Sequence, residues 1–180
     1  MLLQNYRWFF RGVVPFATCS LLFAMMLGCA APAGSPKADS GSPKVAPNFS
    51  LFDSAGNTLT LSGYKGRVVL LDFWATWCHG CRTEIPWYME FENKYKGDGL
   101  AVVGVSMDTD WKTVKPFMAE EKMNYPVVIG NEDLLALYGS HEMPATYLID
   151  RHGTIADYRI GVVNKDQFES EIKKLLRQPH

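Results

Sequence analysis

Two cysteines three positions apart, Cys78 and Cys81, are the residues of this chain best suited to do chemistry. A Cys-x-x-Cys pair can open and close a disulfide, or offer two soft thiolates to a metal. The run Trp77-Cys78-His79-Gly80-Cys81 follows an apolar segment and opens a stretch with helical spacing. At such a junction the first sulfur meets unpaired backbone N–H groups and the positive end of a helix dipole, and both favour its thiolate. His79 adds a potential cation beside it. Cys81, one turn further on, is within disulfide reach and deeper. The expected division of labour is attack by Cys78 and resolution by Cys81. A structural zinc site needs two more Cys or His ligands. Only His141, His152 and His180 remain, none in a ligand-like pair, so no metal or organic cofactor is expected. The other two cysteines, Cys19 and Cys29, fall near the N-terminus, which excludes a scaffold stapled by several disulfides.

The elements that must position this pair follow from the surrounding pattern. Residues 67–75 form a near-continuous apolar run, the mark of a strand covered on both faces. Asp72 interrupts it. A carboxylate buried there has a raised pKa and is a candidate base for Cys81; the alternative is a partly solvated strand-end carboxylate with no role. Residues 81–95 read as a helix containing Pro86, which places Glu84 in its first turn, where acids are favoured for structural reasons. Strands are expected at 100–107 and 125–129. Helices are expected at 111–122, with Asp110 as N-cap, and at 132–138, with Asn131 as N-cap. Asp108 and Asp110 follow a strand at the end where α/β sheets place their sites. A short hairpin precedes this core around 53–57, a second surrounds 151–153, and a capped helix runs from Asn164 to about Arg177. The order β-β-β-α-β-α-β-α-β-β-α implies an α/β sandwich with a mixed sheet.

The rest of the 180 residues sets the context. Hydrophobic residues make up 47% and charged residues 21%, the balance of a globular protein. From Asn48 onward 14 Lys and Arg stand against 18 Asp and Glu, so no nucleic-acid partner is expected. Residues 1–29 read as an export leader, with Arg7 and Arg11 ahead of an uncharged stretch from Gly12 to Gly28 that contains Pro15. Three fates fit: lipidation at Cys29, an uncleaved membrane anchor, or ordinary cleavage to a soluble periplasmic protein. Each puts the domain outside the cytosol. Residues 30–47, rich in Ala, Pro, Gly, Ser and Lys, read as a flexible linker, and 48–180 as the folded domain.

Two motifs carry a family resemblance. Asp72-Phe73-Trp74-Ala75-Thr76-Trp77-Cys78-x-x-Cys81 followed by Glu84-x-Pro86, and Met143-Pro144-Ala145-Thr146-Tyr147-Leu148-Ile149-Asp150, together resemble the thioredoxin superfamily. The closer likeness is to its TlpA/ResA-like branch of membrane-anchored bacterial thiol–disulfide oxidoreductases, from Ala46 to the last helix. Met26-Leu27-Gly28-Cys29 likewise resembles a lipobox. The likeness implies a thioredoxin fold, a mixed central sheet flanked by helices, with an N-terminal β-hairpin and a central inserted α/β element around 109–128. It implies a cis Pro144, leaving the Met143 backbone free for an extended client, with Trp77 and His79 beside it and Glu84 and Asp108 in support. It also implies reduction of protein disulfides, apocytochrome c as a client, and electrons from a membrane carrier of CcdA/DsbD type. His79-Gly80 departs from that branch's common dipeptide.

Two other classes fit these residues less well. A peroxiredoxin needs Pro-x-x-x-Thr-x-x-Cys, where this chain has Leu71 and Ala75. A Cu(I) carrier would use Cys78 and Cys81 as soft ligands, but wants a dedicated histidine partner that the sequence does not supply.

Overall fold

The structure, a computed structural model, describes residues 44–179. The leader, Cys29 and most of the 30–47 segment lie outside the described residues. Seven strands and four α-helices follow in the order β1 (Ser50–Phe52), β2 (Thr58–Thr60), β3 (Val68–Trp74), α1 (His79–Tyr95), β4 (Leu100–Ser106), α2 (Trp111–Glu120), β5 (Val127–Ile129), α3 (Glu132–Leu137), β6 (Ala145–Ile149), β7 (Ile155–Ile160) and α4 (Lys165–Leu176). This is the element order expected from the sequence.

Five strands form one mixed sheet in the order β5-β4-β3-β6-β7. The first three are mutually parallel, and β6 runs antiparallel to both β3 and β7. Every residue of β3 and β4 is buried, as their unbroken apolar runs require. The two-residue period of β3 feeds two cores. Val68, Leu70 and Trp74 face the side packed by α1, α2 and α4, with Ile85, Phe91, Val114, Phe117 and Phe168. Val69, Leu71 and Phe73 face the opposite side, with Phe49, Leu134, Tyr138 and Tyr147. Asp72 shares the parity of Leu70 and Trp74, and so points toward the α1 side.

The inserted element is α2 with β5. β5 extends the sheet beyond β4, and a bridge between Asp53 and Val128 lays the β1–β2 hairpin against it. β5 is shorter than the expected 125–129 because Pro126 has no N–H for the ladder, although its carbonyl still accepts from Gly104 at 2.9 Å. The three polar N-caps form as read: Asp110, Asn131 and Asn164 each accept from the backbone N–H three residues on. α1 begins at His79, two residues earlier than expected. Glu84 therefore sits in the second turn rather than the first.

Candidate active site

β3 delivers the chain into a tight turn in which Cys78 N–H donates to Ala75 O at 3.1 Å. Cys78 then caps α1, its sulfur accepting the Cys81 N–H at 3.2 Å, and a disulfide joins the two residues. Cys81 is fully buried, Cys78 keeps 8% exposure, and neighbouring Trp77 is 68% exposed. The first cysteine of the pair thus keeps a little exposure and the second keeps none.

Two elements distant in sequence close around the pair. The Met143–Pro144 peptide bond is cis. Pro144 O accepts from Gly161 N–H at 2.8 Å, which ties the turn after β7 to the proline. Gly80 is pressed against both: a Cβ there would lie 3.0 Å from Val162 Cγ2 and 3.2 Å from Pro144 Cδ. A third element holds the loop ahead of Cys78. Buried Asp108 accepts from Thr76 N–H at 2.9 Å, Thr76 Oγ1 at 2.8 Å and Ser106 Oγ at 2.8 Å.

Two carboxyls lie in the core beneath. On α1, Cys81, Glu84, Ile85 and Tyr88 recur at helical spacing, and all four are completely buried. Glu84 Oε1 accepts from Val163 N–H at 2.7 Å, while Oε2 has no partner. Burial lifts its pKa from an ordinary 4.5 to about 7, against the opposing pull of the Val163 bond and the neighbouring Tyr88 hydroxyl. Asp72, opposite Thr146 in the β3–β6 register, is 1% exposed. Its Oδ1 receives a long 3.5 Å contact from Thr146 Oγ1, and Oδ2 has no partner. Burial first, and the Glu84 charge second, raise the Asp72 pKa well above the usual carboxylate range. Tyr88 and Thr146 hydroxyls are 2.9 Å apart, and the buried Tyr125 hydroxyl is unpartnered.

Comparison with known proteins gives this arrangement a family. The AhpC/TSA family model matches residues 43–158. The thiol-disulfide oxidoreductase ResA of Bacillus anthracis is 35% identical over 133 residues, covering 73% of this chain and 77% of its own. The thioredoxin-like protein YneN of Bacillus subtilis (strain 168) is 36% identical over 130 residues, 71% of this chain and 76% of its own. A Chlorobium tepidum chain described as a thiol:disulfide interchange protein DsbE superposes with a TM-score of 0.71 at 34% identity, over 76% of this chain and 98% of that one. The chain belongs to the AhpC/TSA family, in its ResA-like branch of the thioredoxin superfamily.

It is a thiol–disulfide oxidoreductase of thioredoxin-like fold. At the positions where a peroxidase loop places its proline and threonine, this oxidoreductase carries Leu71 and Ala75, both buried. Among the described residues no group of three or more His, Cys, Asp or Glu is arranged to hold a metal. Of the residues singled out from sequence, the fold brings Cys78, Cys81 and Pro144 together and leaves Trp77 and His79 exposed beside them. Met143 is half-buried and packs against both cores. Asp108 braces the Thr76 loop, Asp72 lies under α1, and Glu84 is on the buried face of α1. Sequence reasoning missed Tyr88, Thr146, Val162 and Val163. Tyr88 had a signal, seven residues after Cys81 on the same helical face. The other three become visible only with strand register and the turn after β7.

Proposed function

We propose that this oxidoreductase reduces disulfides of protein clients on the outer side of a bacterial membrane. The observation that carries the reading is Glu84, buried three residues after Cys81 on the same helical face, with a pKa of about 7. A reductase must deprotonate its hidden second thiol in mid-cycle, and a buried acid that titrates near neutrality suits that step.

In the proposed cycle the Cys78 thiolate attacks a client disulfide. The client S–S bond breaks, and the departing client sulfur takes a proton from water. Cys81 then gives its proton to a buried carboxylate, Glu84 or Asp72, and attacks Cys78 Sγ. The mixed disulfide breaks, the second client sulfur leaves as a thiolate and is protonated, and Cys78–Cys81 is left oxidised. The client gains two electrons and two protons. A membrane electron carrier of CcdA/DsbD type would return the two electrons. Trp77, His79 and Val162 offer the exposed contact surface, and Met143 and Pro144 offer the edge along which an extended client segment lies. Asp108 holds the loop that carries Trp77 and Cys78.

The location rests on the leader pattern at residues 1–29 and on the ResA likeness, with lipid at Cys29 or an uncleaved anchor as the attachment. Among the described residues no helix is long and apolar enough to cross a membrane. Apocytochrome c is the client that the likeness favours. The test is the reduction potential of Cys78/Cys81 against glutathione, read alongside insulin-reduction turnover. A potential near that of thioredoxin, with turnover, supports the reading. A potential near that of strong periplasmic oxidants reverses its direction.

A further inference from the structure

We propose that Tyr88 and Thr146 are positioning residues that make Asp72 and Glu84 share a single negative charge beneath the redox pair. The inference deepens the proposed reductase cycle and rests on it for its use, although not for its test.

A count of donors leads there. Each hydroxyl carries one hydrogen, so the pair has two. The 2.9 Å bond between Tyr88 and Thr146 consumes one of them, whichever residue donates. One hydrogen is left to point outward. When Tyr88 donates to Thr146, Thr146 is free to donate to Asp72 Oδ1, the 3.5 Å contact. When Thr146 donates to Tyr88, the Tyr88 hydrogen is free to turn toward Glu84, one turn back on α1; no hydrogen bond joins the two in this structure, but the Tyr88 hydroxyl is near enough to pull the Glu84 pKa down. The hydroxyl pair can support either carboxylate but not both together.

The surroundings leave the two acids little else. Asp72 Oδ2 and Glu84 Oε2 are both buried without partners. Glu84 has one further donor, Val163 N–H. Among the described residues neither acid takes part in an ion pair. The groups facing them are Glu84 and Tyr88 from α1, Asp72 from β3, Thr146 from β6 and Tyr125 ahead of β5. α4 contributes apolar Phe168 and Ile172, and α2 contributes Val114 and Phe117. No cation in this set offsets a second negative charge, which in a low-dielectric interior is strongly disfavoured. The pKa causes agree with this: burial lifts Glu84 to about 7, and the Glu84 charge adds to the burial that raises Asp72. Like-charge pairs that interact this strongly lose their protons in two separate steps. In the cycle, the shared charge gives Cys81 a proton acceptor whose remaining proton stays on the partner acid.

The test is carbon-13 NMR of Asp and Glu side-chain carboxyls in the oxidised full-length protein, in detergent, titrated across pH. In the parent protein Glu84 is expected to ionise near pH 7 and Asp72 in a separate step, well above the usual carboxylate range. Tyr88→Phe should move Glu84 up and Asp72 down. Thr146→Val should move Asp72 up and Glu84 down. Each movement should be about one pH unit, the net worth of one hydrogen bond. Thr146→Ser restores the hydroxyl and should restore both titrations. The proposal is overturned if each variant moves only the nearer carboxyl, if both carboxyls move in the same direction, or if Thr146→Ser behaves like Thr146→Val. The titration needs no client and no electron donor, so failure of client reduction leaves its result standing, and the reverse also holds.

Discussion

Replacing Glu84 with Gln should make the protein's stability much less sensitive to pH on the acid side of neutrality. In the unfolded chain this carboxyl ionises near 4.5, and in the folded protein near 7. Between those values the unfolded state has lost its proton and the folded state has kept it. Stability therefore falls as pH rises through that window, by about 1.4 kcal/mol per unit. Over the whole window this comes to about 3 kcal/mol, a large share of the roughly 5–15 kcal/mol that holds a domain together. Below 4.5 both states are protonated and the effect vanishes; above about 7 it is complete. Gln keeps the acceptor for Val163 N–H but sets an amide nitrogen where Oε2 has no partner. That unpaired donor costs about 1–3 kcal/mol at every pH. The slope of the difference between the two proteins is therefore the quantity to read, not either absolute value. Urea unfolding of oxidised parent and Glu84→Gln proteins at pH 4.5, 5.5, 6.5 and 7.5 would measure it. Burial, the larger cause of the raised Asp72 pKa, acts in both proteins and drops out of the difference, so what Asp72 adds to the slope comes from its coupling to the Glu84 charge. Stabilities that run parallel across pH would refute the assigned burial effect at Glu84.

Three further outcomes follow from the site. Cys81→Ala should accumulate client mixed disulfides through Cys78, and Cys78→Ala none, by gel shift under non-reducing conditions; equal trapping would contradict the division of labour. Gly80→Ala should leave denaturant stability nearly unchanged, because better helix propensity offsets crowding against Val162 and Pro144, yet should lower insulin-reduction turnover. Unchanged turnover would show that this contact does not shape the client surface. Asp108→Ala removes the acceptor of three hydrogen bonds and should cost about 1–3 kcal/mol in urea unfolding, with slower client reduction. A stability loss with undiminished turnover would leave Asp108 with the fold alone.

The sequence was most legible where local rules act alone. β3 and β4 announced themselves through unbroken apolar runs, and the N-caps Asp110, Asn131 and Asn164 through residue type. Cys78 and Cys81 stood out through spacing, and Asp72 through its isolation inside an apolar strand. Glu84 did not. An acid near a helix start is ordinarily a solvated residue favoured by the dipole, and only the return of the chain at Val163, 79 positions later, buries it. Asp108 follows β4, at the end where α/β sheets place their sites, but its bonds to Thr76 depend on the parallel pairing of β3 with β4. Thr146 acquires a role only because the antiparallel register sets it opposite Asp72.

Hydrogen-bond supply separates the three acids of this site by what they can do. Asp108 receives three side-chain or backbone donors at 2.8–2.9 Å, and a side chain so well served holds its loop in place. Glu84 receives one strong donor, and Asp72 a single long one. Each leaves an oxygen buried and bare. An acid in that condition is poorly stabilised as an anion, yet each retains a bare oxygen on which a proton can sit. Its protonation state therefore responds to its neighbours rather than being dictated by its bonds. The under-supplied pair lies on the fully buried face of β3 and α1, the face that also carries Cys81, while the satisfied acid lies beside the loop leading to Cys78. The same residue class thus serves two ends: Asp108, with three donors, anchors a loop, while burial leaves the under-supplied Glu84 and Asp72 able to exchange a proton.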